Sequence, residues 1–162
     1  MNLKEVRRGM MVLVNTIDKL AEQGDTSREL NLSRTSAQRA MMWCGTLLKE
    51  SGIGDNPYAG KDGQRTTVED IEPMFDATSE TLNSEILAAG LIVTVDQMRE
   101  YLGNQISACS DFVTSVEYND IVQDASPQTH FQVGMAGANL YTSLVEARMW
   151  LGMELGRIRD NS

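Results

Sequence analysis

Apolar residues open the chain at a helical beat. Leu3, Val6, Met10, Leu13, Ile17 and Leu20 are spaced 3-4-3-4-3, the seam of a helix packed on another helix. Gly9 weakens that run slightly, since glycine costs about 1 kcal/mol inside a helix. Gly24 predicts the stop, and Asp25, Thr26 and Ser27 offer an N-cap, with Glu29 in the first turn of the next helix. That second helix is expected to run to about Glu50, where Ser51-Gly52-Ile53-Gly54 ends it. So short a connection makes the pair an antiparallel hairpin.

Residues 51–66 are dense in turn formers, and Pro73 blocks a continuous helix through the stretch that follows. A short helix over 77–89, capped by Thr78 or Ser79, is expected next. Thr94 predicts the cap of a longer helix whose stripe runs Val95, Met98, Leu102, Ile106 (or Gln105), Cys109, Phe112 and Val116. Residues 119–127 read as a polar linker. A last helix, from about Gln128 to Arg159, carries Leu140, Leu144, Ala147, Leu151, Leu155 and Ile158 on one face. No segment alternates as a strand would. The expected class is therefore all-α: two helical hairpins in tandem, packed as an oligomeric helical bundle. The hairpins occupy 1–52 and 93–162, and 53–92 form a linker with a short helix.

One segment is written twice. Residues 35–48 and 142–155, 107 positions apart, share Thr, Ser, Ala, Met, Trp, Gly and Leu at identical spacing, and both tryptophans fall inside the match. Two copies of one helical unit in a single chain are the expectation.

Composition narrows the function. The chain has 162 residues and a net charge of −9. That charge is uneven: residues 1–50 hold eight Lys/Arg and six acids, and residues 51–162 hold six and seventeen. A protein that grips a nucleic-acid polymer shows a basic face and a high pI; here the pI is about 4.6, which argues against one. A small anion held by a few arginines stays open. No apolar run reaches the roughly 18 residues of a spanning helix. The N-terminal stretch is amphipathic, unlike a signal peptide. Cys44 and Cys109 sit in apolar helical patterns and read as reduced core residues, which points to a cytoplasmic protein.

Catalytic patterns are missing from the sequence. His130 has no nucleophile at a recognisable spacing, and there is no Cys-x-x-Cys, His-Glu-x-x-His or phosphate-loop motif. The expectation is a non-enzyme with no metal and no cofactor.

The run Glu146-Ala147-Arg148-Met149-Trp150-Leu151-Gly152 resembles the phage helical-hairpin proteins that sequester cyclic nucleotides, the anti-CBASS and anti-Thoeris sponges. Asn56-Pro57-Tyr58, Ile71-Glu72-Pro73 and Asp76-Ala77-Thr78 are similar to segments carried with that hairpin. The resemblance covers about residues 30–78 and 138–158, and it departs from the family in holding the hairpin twice. It implies a sponge acting in the host cytoplasm. It further implies a symmetric homo-oligomer, a trimer or hexamer, with pockets where hairpins of different protomers meet.

A cyclic phosphate ligand needs arginines for its phosphates, hydroxyl donors to complete their shell, and flat side chains for its bases. The first half supplies Arg7, Arg8, Arg34, Arg39, Thr35, Ser36 and Tyr58; the second supplies Tyr141, Thr142, Ser143 and Arg148. Each has a plainer reading. The hydroxyls can bond back to the preceding helical turn, the arginines can pair with surface acids, and Trp43 and Trp150 can be core knobs. Gly45 and Gly152 would then mark close approach of a neighbouring helix, and the ten methionines would be core or interface. The rival functions are an adaptor making only protein contacts and, more weakly, a hydrolase of such signals.

Overall fold

The computed structural model describes residues 3–51, 90–124 and 127–161, and every regular element in them is a helix. In chain order these are α1 (Leu3–Glu22), α2 (Arg28–Ser51), α3 (Leu91–Val113), α4 (Val116–Asp124) and α5 (Pro127–Asp160). The short helix expected over 77–89, the rest of the linker and Tyr58 lie outside the described residues. No described helix is long and apolar enough to cross a membrane.

α1 forms as its spacing predicts, with all six stripe residues buried. Its end is a Schellman turn: Gly24 takes φ +90°, Asp25 N–H donates to Leu20 O at 2.8 Å and Gly24 N–H to Ala21 O at 3.0 Å. Ser27 then caps α2, its Oγ accepting the Leu30 N–H at 3.1 Å. Across this turn Arg34 of α2 meets Asp18 of α1, so the two helices run antiparallel.

The largest contact in the chain is between α2 and α5. Ser27 reaches Glu154, and Ser33 Oγ donates to Ala147 O at 2.9 Å, so residue numbers fall on one helix as they rise on the other. The seam is lined by small residues: Ser33, Ala37, Ala40 and Cys44 on α2, with Ala136 and Ala147 on α5, interleaved with Leu140, Leu144 and Leu151. Small side chains let two helices approach closely enough for a serine to reach the neighbour's backbone. α1 lies along α2 and α3 along α5; α1 and α3 touch only briefly.

The match between the two halves extends beyond the written repeat. Buried Leu3, Val6, Met10, Ile17 and Leu20 of α1 recur 92 positions on as buried Val95, Met98, Leu102, Cys109 and Phe112 of α3. Gly9 and Tyr101 are also 92 apart, and they meet: a Cβ on Gly9 would lie 2.9 Å from Tyr101 Cε1. The glycine that weakened the α1 pattern makes room for that ring.

Two expectations change. α3 begins at Leu91, behind Gly90 (φ +93°), and Thr94 sits inside it, donating its hydroxyl to Gly90 O at 2.6 Å. The linker expected over 119–127 is in large part helix α4. Ser115 starts it, accepting the Tyr118 N–H at 3.1 Å. Val116, expected on the α3 stripe, is exposed. Tyr118 anchors α4 instead: its ring packs on Phe112, with centroids 5.1 Å apart, and its hydroxyl donates to Val133 O of α5 at 3.0 Å. His130 adds a second tie, its Nδ1–H donating to Val122 O at 2.7 Å.

Two glycines of α5 separate packing from helix propensity. A Cβ on Gly137 would lie 2.9 Å from Cζ of the buried Tyr118, which cannot swing aside without losing Val133; a Cβ on Gly134 meets nothing within 4 Å. Alanine gains about 1 kcal/mol over glycine in a helix, whereas overpacking costs about 1–3 kcal/mol. Gly134→Ala should therefore raise the urea midpoint and Gly137→Ala should lower it.

Candidate functional site

Most of the arginines nominated by the sequence are held by acids. Arg34 grips Asp18 through two bonds, Nε–Oδ1 2.7 Å and Nη2–Oδ2 3.2 Å, and this pairing raises its pKa further above the ordinary arginine value. Arg8 bonds Glu5 at 3.0 Å along α1. Arg39 lies 3.6 Å from Glu146, bridging α2 to α5 on an exposed face. Exposed pairs of this kind contribute about 0.2–1 kcal/mol. Arg7 sits beside the buried Cys44 thiol.

The two threonine hydroxyls bond back along their own helices. Thr35 donates to Asn31 O and Thr142 to Ala138 O, each at 3.0 Å, the same back-bond in both copies of the repeat. Ser36 and Ser143 are buried. Tyr141 is exposed on α5. Both tryptophans are half-buried, and Trp150 carries the Arg28 guanidinium 5.5 Å from its ring centroid.

Arg148 is different. It reaches from α5 to α3, where a Cβ on Gly103 would lie 3.3 Å from its Nε. In return Arg99 reaches from α3 to α5, where a Cβ on Gly152 would lie 3.2 Å from its Nε. Two arginines thus cross the same groove in opposite directions, each laid over a glycine of the facing helix. Arg148 Nε donates to Arg99 O at 3.3 Å, while Arg99 Nε is buried and meets no hydrogen-bond partner among the described residues. Neither guanidinium has a carboxylate partner among them. Gly152, expected to mark a close helix backbone, is instead covered by a side chain. Nothing in the local pattern around Arg99 singles it out; only the glycine facing it is a signal.

Glu154 is also absent from the residues the sequence nominates. It is 0% exposed, and accepts from Ser27 and from Arg157, whose Nε–Oε2 distance is 3.1 Å. Arg157 also approaches Glu29 at 3.9 Å. Its position on the inward stripe, three after Leu151 and seven after Ala147, was the available clue. This cluster clasps the α2 N-terminus to α5. Among the described residues no group of three or more His, Cys, Asp or Glu is arranged to hold a metal.

No protein-family model, curated protein or solved structure matches this chain.

The buried thiols and the Tyr101 phenol are held neutral. Burial, reinforced by the neighbouring Cys109 and opposed by Arg7, pushes the Cys44 thiol far up; burial pushes Cys109 to about 11. Both thiols should resist a thiol reagent at pH 8 in the folded protein and react after denaturation. Burial, with Glu5 and Cys44 adding to it, pushes Tyr101 up to about 12, against about 10 in an unfolded chain. The fold favours the neutral phenol, so its contribution is complete below pH 10 and lost as pH rises through 12. Urea midpoints should fall across that window, and less steeply in Tyr101→Phe.

Proposed function

We propose that the chain is a phage anti-defence sponge that binds a cyclic-nucleotide immune signal, of the cyclic oligonucleotide or cyclic ADP-ribose type, and withholds it without turnover. It acts in the host cytoplasm as a homo-oligomer, a trimer or hexamer, in which α1–α2 and α3–α5 are two copies of one hairpin. The resemblance of Glu146–Gly152 and of Asn56-Pro57-Tyr58 and Ile71-Glu72-Pro73 to the sponge family supports this reading.

The observation that carries it is the pair Arg99 and Arg148, which has no acid partner among the described residues. Cations crowded in one groove without a carboxylate are poised for an outside anion, and paired guanidiniums match phosphate oxygens in geometry as well as charge. Arg148 also lies inside the family-like motif. Arg34 already pairs with Asp18, so this reading gives it the hairpin rather than the ligand.

A second reading, an adaptor that makes only protein contacts, draws on the exposed methionines and valine of α5. Calorimetry with cyclic di- and trinucleotides and a glycocyclic ADP-ribose separates the two. Under the sponge reading at least one ligand binds and is recovered chemically unchanged after denaturation. Arg148→Ala or Arg99→Ala should weaken it about 10- to 100-fold, the size of a lost charged hydrogen bond. Arg34→Ala should lower the urea midpoint and leave affinity near its original value. Absence of binding by every ligand removes the sponge.

A further inference from the structure

Among the described residues, α1 and α3 cover one side of the central α2–α5 pair and nothing covers the other. On α5 that bare side is a continuous row: Phe131, Met135, Ala138, Thr142, Val145, Met149 and Met153, spaced 4-3-4-3-4-4, every one exposed. The large members are 37–66% exposed, and no member is charged. Met42 of α2, 55% exposed, adds to this apolar surface, and the nearby Arg39 and Glu146 offset each other's charge. A row with seam spacing on the wrong side of a helix is the mark of an absent neighbour.

We propose that the neighbour is a second copy of this chain, with α5 packed antiparallel on the partner's α5 about a two-fold axis near Thr142. Three observations favour a copy over an unrelated protein. The row is nearly a palindrome about Thr142: Phe131 and Met153 are each eleven residues from it, Met135 and Met149 seven, Ala138 and Val145 four and three. A two-fold axis there sets each residue against its mirror position, as a symmetric dimer requires, with methionine on phenylalanine at both ends and small side chains at the crossing. Second, the α5 row carries no charge on a chain of −9, so it is where two copies approach with least repulsion. Third, the row is about 33 Å long and the two exposed helices about 20 Å wide. That is on the order of 660 Å² per copy, toward the lower end of a standard specific interface.

This supplies a two-fold surface for the hexamer of the preceding reading, is incompatible with its trimer, and stands without any ligand. The test is the mass of the full chain in solution by light scattering, with no nucleotide present. The expected mass is an even multiple of 17.9 kDa, reduced to an odd one or to the monomer by Val145→Glu with Met149→Glu while helical circular dichroism is unchanged. Orientation is read by oxidation. Thr142→Cys should cross-link to itself, Phe131→Cys should not, and the double variant Phe131→Cys with Met153→Cys should. The native Cys44 and Cys109 are buried and out of reach. A wild-type monomer overturns the proposal, as does an odd multiple, an unchanged mass in the charged variant, or cross-linking of Phe131→Cys but not Thr142→Cys. Because no step uses a nucleotide, failure here leaves the ligand titrations to stand or fall separately.

Discussion

The nearness of α2 and α5 governs the rest of the molecule. Ser33 can donate to Ala147 O only because the seam is built from alanine, serine and cysteine, with leucines filling the gaps. Each fully buried leucine removes about 1.5–3 kcal/mol of apolar exposure, and Leu47, Leu48, Leu140, Leu144 and Leu151 are all inside. At one end the Ser27–Glu154–Arg157 clasp joins the start of α2 to α5 and fixes the register. A bulky residue at Ala37 or Ala40 would part the helices and strand these bonds together.

That central pair dictates what the flanking helices can do. α1 and α3 settle on one side, sharing five buried positions 92 residues apart, and meet where Tyr101 crosses Gly9. The α3–α5 groove is then wide enough for side chains but not for backbones to close, and Arg99 and Arg148 fill it over glycines. The opposite side of α2 and α5 keeps an uncharged row in water. Groove and row lie on different faces, so the proposed anion and the proposed neighbour would not compete for one surface.

Spacing made the helices legible because long amphipathic runs are decided by burial, as in α1, α2 and α5. What sequence missed was set by tertiary contact. α4 was lost because its one anchor, Tyr118, gains its value from Val133 and Phe112, both distant in the chain or across a turn. Thr94 looked like a cap because threonine caps often; Gly90, able to take φ +93°, starts the helix instead. Among the site residues, Arg34, Arg39, Thr35 and Thr142 were visible by type, but their partners decide their roles. Arg99 carries no pattern at all until the glycine opposite it is known. Tyr58 and the segments around it lie outside the described residues, so the Asn-Pro-Tyr likeness rests on sequence alone.

Native-state hydrogen exchange on the full chain tests the primacy of the α2–α5 seam most directly. Amides open with free energies set by local packing, so the account predicts the slowest exchange in two blocks, Leu30–Leu48 and Val133–Leu155, rising and falling together with denaturant. Slowest exchange in α1 or α3, with α5 opening ahead of them, would contradict it.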